Sequence, residues 1–291
     1  MNTSNLRVLQ TMVYARKFFR TLIKESLISI VIGIVITLLV MMVTAENMFK
    51  YYEGTKSGFF SLVCVCIWIG LFNSIQLVCR EKNDIVKDEL DKSLHASSYI
   101  AAHYIYQTIL SAIQSIIIFV IFYVAVMPEG NPIAYLITIF LLILSSDALA
   151  LVLSCAMPTP VLAMTVMPLV LLIQLVMAGV LFELEEGSIA YFISFFTMSK
   201  WGMSAFGMIG DITSGIDSKV GGSVNDILTE KGLPESMLIE SKDMISSTDK
   251  TAFSGEAFDI FLCWTALIAF VVVCFGLGVI FLKATTRKLK K

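Results

Sequence analysis
Eight charges fall within twelve residues at Glu81, Lys82, Asp84, Lys87, Asp88, Glu89, Asp91 and Lys92. Five are acids and three are bases. Ile85, Val86, Leu90 and Leu94 recur among them at helical spacing. The chemistry open to such a segment is ion pairing and hydrogen bonding. A mixed-sign face beside an apolar seam suits docking onto another protein. A membrane-surface helix would favour one sign of charge. A solvated turn is the plain alternative, although it would not need the seam.

Elsewhere the reactive side chains are sparse. Asp147, in SSDALAL, is the only acid inside a long apolar run. A carboxylate there costs about 2.5–3.5 kcal/mol on insertion scales and faces protein or water. Its neighbours Ser145 and Ser146 are candidate donors. Asp147 is therefore either a contact for a cationic ligand or for a second chain, or a satisfied interhelical hydrogen bond. His103 stands with Tyr104 and Tyr106 and reads as a hydrogen-bonded structural residue. No Ser/His/Asp arrangement and no paired carboxylates at catalytic spacing are evident. Cys64, Cys66, Cys79, Cys155, Cys263 and Cys274 all lie in or at the edge of apolar runs. Their spacing fits no metal site, and small buried apolar side chains are the expected reading.

These groups must be positioned by membrane helices. The chain has 291 residues, is 57% apolar and has a mean hydropathy of +0.84. Crossing a hydrocarbon core takes about 20 apolar residues per helix. Six stretches qualify: Leu27–Ala45, Gly58–Cys79, Ser98–Met127, Pro132–Ala156, Thr159–Phe182 and Ile260–Leu282. The expected fold is an all-α membrane protein with six transmembrane helices. The first run follows a basic stretch and lacks a cleavage site, so it reads as a retained span. All 21 Lys and Arg fall outside the runs. With both termini cytoplasmic, fourteen lie inside and seven outside, which sets the orientation. Lys288, Lys290 and Lys291 then hold the tail at the inner surface.

Residues 1–26 read as an amphipathic helix on the inner surface, and residues 27–291 as the six-helix domain. In the first, Val8, Leu9, Met12, Phe19 and Ile23 gather on one side, and Arg7, Gln10, Tyr14, Lys17, Thr21 and Lys24 on the other. Arg16 and Arg20 add to its basic character; a simple anchor for the first span is the alternative. The charged helix spans 81–96, with Ser97 or Ser98 capping the next span. Met127–Asn131 and Met157–Pro160 are tight turns. Residues 183–259 form a long outer segment. Its apolar front, Ile189–Ile209, suits short helices dipping into the outer leaflet, and its back, Gly210–Glu256, is polar.

Asn73, Ser74 and Gln76 in the second run, with Gln174 in the fifth, are polar residues expected to face the bundle interior. They serve either substrate contact or interhelical packing. Phe72 is a candidate cavity wall. Met164, Met167 and Met177 either repack around cargo or fill the core.

The order of these features resembles the permease half of ATP-binding-cassette exporters of the type-2, G-subfamily-like group (type V exporters). Glu81 in LVCREKN matches the acidic start of that family's coupling helix. Ser97-Ser98-Tyr99 matches its entry into span three, and Gly179-Val180-Leu181 its stretch near the end of span five. Ser199-Lys200-Trp201-Gly202-Met203-Ser204-Ala205 resembles its pattern after the dipping helices. The helix before the first span resembles its connecting helix, which here carries Arg16, Lys17 and Arg20. Asp147 departs from the pattern, since relatives usually have a small residue there.

The resemblance implies a connecting helix, a cytoplasmic coupling helix and re-entrant outer helices. Glu81, Asp84, Lys87, Asp88, Glu89 and Leu90 would couple to an ATPase. Spans two and five would line a cavity at Phe72, Asn73, Gln76, Met167 and Gln174, and Val180 and Leu181 would form an outer plug. Permeases of this kind pair with a second copy or a paralogue. The chain has no GxxxxGK[ST] phosphate loop. It begins with Met, and if it is complete, ATP and Mg belong to a separate ATPase subunit, with no cofactor or metal on this chain. It is expected to do no covalent chemistry and to bind no nucleic acid. Amphipathic or hydrophobic cargo and a bacterial plasma membrane are the expectations. The alternatives are an ion-coupled secondary carrier using Asp147, though no internal repeat is found, and a non-transporting membrane scaffold.

Overall fold
The structure, a computed structural model, describes residues 3–21, 23–50, 52–90, 95–182, 187–212, 253 and 257–289. Every regular element among them is helical. Helix α1 (Thr3–Thr21) precedes α2 (Ile23–Thr44), which ends in a 3-10 turn at Ala45–Asn47. Helices α3 (Tyr52–Ser74) and α4 (Leu77–Leu90) follow almost end to end. Then come α5 (Ala96–Val126), α6 (Pro132–Ala156), α7 (Pro160–Val176), α8 (Ile189–Ser194), α9 (Met198–Ile209) and α10 (Ala257–Leu289).

Long β-branched and leucine-rich runs, free of charge except for Asp147 in α6, make the cores of these helices, and their length follows from the hydrocarbon they must cross. Among the described residues, five segments are long and apolar enough to span: Ser26–Asn47, Tyr52–Lys82, Ala96–Val126, Pro132–Ala156 and Phe258–Ala284. The fifth expected span is shorter than the sequence suggests. Helix α7 has 17 residues, which is about 25 Å. It carries Pro168 internally. Beyond Val176 the chain turns, with Gly179 at φ +76°.

Helix α6 is the hub. It packs against α3, α5, α9 and α10, and its side chains from Leu141 to Ala148 are buried almost without interruption. Close approach to α3 requires Gly70. A Cβ there would collide with the Ser146 Oγ and the Ile143 carbonyl oxygen. At the opposite end from α4, an aromatic cluster ties four helices together. Phe59 stacks on Phe206 at 5.6 Å, and Phe122 meets Tyr135 edge-on at 5.5 Å.

The tight turns form as expected. In the α5–α6 turn, Met127 and Gly130 take positive φ, and Asn131 caps α6 by accepting from the Ile133 N–H at 3.0 Å. Thr159 caps α7 by accepting from the Leu162 N–H. The α5 cap differs from expectation. Its N-cap is His95, with no side-chain cap, and Ser98 donates instead to the Arg7 carbonyl at 3.4 Å. Because α5 begins at Ala96, Ser97 and Ser98 lie inside its first turn, past the capping position.

Candidate functional site
Helix α4 carries the charged segment. It starts at Leu77, four residues before Glu81, as a continuation of α3 after a turn at Ile75–Gln76. The early start follows from burial, since Leu77, Val78 and Cys79 all pack inside. The Cys79 N–H donates to the Ser154 Oγ at 3.2 Å, and the Lys82 ammonium donates to the Met157 carbonyl at 2.7 Å. The base of α4 is thereby fastened to α6 and to the α6–α7 turn.

Glu81 joins three helices. Its Oε1 lies 3.6 Å from the Lys17 ammonium of α1, and its Oε2 accepts from the Tyr99 hydroxyl of α5 at 2.9 Å. Lys17 is half exposed, so the ion pair adds little to stability. Its consequence is geometric: a push on α4 reaches α1 and α5 through one carboxylate.

The seam of α4 turns inward where it is described. Ile85 is buried with Ala15, Phe18, Tyr99 and Ile100 in the chain's own core, rather than offered to a partner. The outward face presents Asp84 and Lys87, both exposed. Asp88, Glu89 and Leu90 complete the helix, but their side chains, like that of Val86, lie outside the described residues, as do Asp91, Lys92 and Leu94.

Helix α1 docks on α5 through rings. Phe18 meets Tyr99 at 5.4 Å, Tyr14 meets Tyr99 at 6.0 Å and Phe19 meets Tyr106 at 5.1 Å. Ala15 and Phe18 are its buried residues, whereas Val8, Leu9, Met12 and Val13 are exposed. Of the apolar side noted in the sequence, Val8, Leu9 and Met12 thus face away from the protein, while Phe19 packs on α5. Arg16, Lys17 and Arg20 are exposed too.

Two turns of helix away lies a second polar cluster, fully buried. Ser74 of α3 donates to the Asp147 Oδ1 of α6. The Ser74 oxygen also meets His103 Nε2 at 2.8 Å and accepts from Gln107 Nε2 at 2.7 Å, both on α5. A hydroxyl has one proton to give. With that proton on Asp147, His103 must donate from Nε2, which assigns its tautomer. Serine, histidine and aspartate do meet here, contrary to the sequence reading. The order is nevertheless not that of a nucleophilic relay, because aspartate holds the serine and the serine separates it from the histidine. The expected donors Ser145 and Ser146 bond instead to carbonyls of their own helix. Adjacent helical residues point in different directions, so neighbours in sequence do not face Asp147.

The expected cavity residues have these surroundings within the single chain, with Phe72 and Asn73 lining one cleft. Asn73 accepts from Ser29 at 2.6 Å and donates to Gln114 at 2.9 Å. Gln76 accepts from Arg80. Phe72 is exposed and stacks on Trp68 at 5.8 Å. Met167 is buried in the core, and Met164 packs against that core. Gln174 accepts from the Met198 N–H at 3.1 Å, holding the start of α9. Val180 is half-buried and Leu181 exposed, in the bend after α7.

Beside that bend, α8 and α9 are short helices, as expected. Trp201 donates to the Phe195 carbonyl at 2.9 Å. The Lys200 ammonium sits over the Phe195 ring at 3.4 Å and the Tyr191 ring at 4.0 Å. Burial lowers this lysine to about 8, while the ring faces favour its charged form. The polar back of the outer segment lies almost wholly outside the described residues.

Ser74 and Gln107 were the connections that sequence reasoning missed. The one signal for them was a set of polar residues at helical spacing on α5: His103, Gln107, Ser111 and Gln114. Among the described residues no three of His, Cys, Asp and Glu converge on a metal-sized site, and the six cysteines are free thiols.

A family model described as ABC-2 type transporter matches residues 9–209, well over half of the chain. No match was found among curated proteins.

Proposed function
The chain belongs to the ABC-2 type transporter family, and on that premise we propose that it is the permease subunit of an ATP-driven exporter. It is a multi-pass membrane protein by its apolar helices and its family. In the proposed reading α7 supplies a sixth crossing, α8 and α9 dip into the outer leaflet, and both termini face the cytoplasm of a bacterial cell. Two permease units pair, and a separate ATPase subunit binds ATP and Mg.

The observation that carries this reading is the three-way joint at Glu81. Helix α4 prolongs α3 and presents Asp84 and Lys87 outward. It is tied to α1 and α5 through Glu81 and to the α6–α7 turn through Lys82. An ATPase gripping α4 would therefore move α1, α3, α5 and α6 as one body, which is what alternating access needs. Asp147 is buried and bonded within the bundle, which supports a structural role over ion coupling.

Purification of the chain in mild detergent is expected to bring down a polypeptide bearing a phosphate loop. Reconstituted together, the two should move amphipathic cargo only with hydrolysable ATP. Transport that persists without ATP, driven by an ion gradient, would instead establish the secondary carrier. Failure to co-purify any such ATPase would leave the scaffold reading standing.

A further inference from the structure
Two adjoining open clefts run beside α2 and α3, the first of mixed polarity and reaching α5, the second apolar. The first, about 80 Å³, has Ser26, Ser29, Asn73, Tyr106 and Gln107 in its wall. The second, about 350 Å³, is lined by Ile32, Ile36, Trp68 and Ile69. Ser29 and Phe72 line both. The larger volume lies at the low end of the range for small-molecule sites.

The two are ordered by depth. Along α2 the polar wall begins at Ser26, near α1, and the apolar wall continues to Ile36, about 15 Å further on. Helix α3 runs the other way and agrees: Asn73 lies toward α4, and Trp68 lies away from it. The polar end is thus level with the leaflet on which α1 rests.

Neither wall contains an acid, a base or a histidine. A phosphate, carboxylate or ammonium would enter without a counter-ion, which is costly away from water. Hydrogen bonding is nonetheless available. Gln107 gives its Nε2 to Ser74 and leaves its Oε1 buried with no partner. The side chain is 1% exposed, so this acceptor at the cleft wall can take a hydrogen bond from a water or a ligand hydroxyl.

We propose that this cleft binds an uncharged, hydroxyl-bearing amphiphile taken from the leaflet beside α1. Its head occupies the polar cavity and donates to Gln107, and its hydrocarbon lies along Ile32, Ile36 and Trp68. Phe72 and Asn73 belong also to the cavity that the family resemblance implies, whereas the α2 and α5 walls, with Ser29, Ile32, Ile36 and Gln107, do not. As cargo, the amphiphile rests on the transporter reading; its occupancy of the cleft does not.

The test uses the full chain in phosphatidylcholine nanodiscs, free of sugar detergents and without ATP. A diazirine-labelled diacylglycerol is compared with diazirine-labelled phosphatidic acid at equal mole fraction. Labelling mapped by peptide is expected at 28–36 and 68–72, at least fivefold stronger with diacylglycerol. Ile32→Trp, which fills the groove from its exposed side, should cut that labelling at least fivefold while the nanodisc elution profile is unchanged. Gln107→Leu should narrow the difference between the two probes. Equal labelling by both probes would overturn the site, as would labelling spread evenly over all lipid-facing helices. So would a Trp68→Cys variant that crosslinks to a second copy in place of lipid labelling. Because neither ATP nor an ATPase enters this assay, its failure is separable from failure of the co-purification above.

Discussion
Glu81 and Ser74 stand seven residues apart on one nearly continuous helix, yet the clusters they organise differ in kind. Glu81 is partly solvated and holds a half-exposed lysine and a tyrosine hydroxyl. Ser74 is wholly buried and holds an aspartate, a histidine and a glutamine. Water can replace Lys17 beside Glu81, so that ion pair contributes little, whereas the buried Tyr99 hydroxyl keeps the carboxylate in place. No water stands ready to replace a partner of Ser74, so each loss there leaves a desolvated group behind. The comparison teaches where this bundle is held hardest: α3, α5 and α6 are locked around Ser74, so a push on α4 is passed to them together.

Ser74→Ala is the severest way to break that contrast. It strips a partner from Asp147, His103 and Gln107 at once, and a loss on the order of 3 kcal/mol is expected. Thermal unfolding in nanodiscs reads it; a midpoint indistinguishable from the parent would mean the cluster is already hydrated. Next comes Asp147. Asp147→Ala should cost about 2 kcal/mol, whereas Asp147→Asn, which retains an acceptor for Ser74, should stay within about 1 kcal/mol. If asparagine abolished ATP-driven transport without loss of stability, the carboxylate would have a functional charge and the structural assignment would fail.

Glu81→Lys sharpens the comparison from the other side. Its effect on stability should be about 1–2 kcal/mol, since it repels Lys17 and leaves the buried Tyr99 hydroxyl without its acceptor. The prediction is normal membrane insertion with ATPase activity uncoupled from transport. Transport at the parental rate with the reversed charge would count against α4 as the coupling element. The smallest change is expected at Lys200→Met, about 0.5–1 kcal/mol from lost ring contacts, detectable as faster proteolysis near α8 and α9.

Much of this architecture was legible in the sequence because hydrocarbon thickness imposes run length. The α6 boundaries Pro132–Ala156 came directly from composition, as did both tight turns, whereas the caps at Asn131 and Thr159 were seen only in the structure. The α7 end was not legible: residues 177–182 include no charge, and the termination depends on a positive φ at Gly179. The inward turn of Ile85 was equally hidden. Helical spacing shows that a seam exists and does not show which neighbour covers it. The partners of Asn73 and Gln174 were hidden for a similar reason, since each bonds to a different helix.

From composition and charge alone follow the helical class, the places where membrane crossings start, and the charged segment that interrupts them. Those properties are local, set by transfer free energy and by the 3.6-residue period. Tertiary structure decided which polar side chains meet: Glu81 with Lys17 and Tyr99, and Ser74 with Asp147, His103 and Gln107. Each contact joins residues at least 18 positions apart. Rotation of one helix by a single residue, about 100°, would exchange every such partner while leaving the hydropathy pattern unchanged. Close packing at Gly70 against Ser146, a constraint in three dimensions, selects among those rotations.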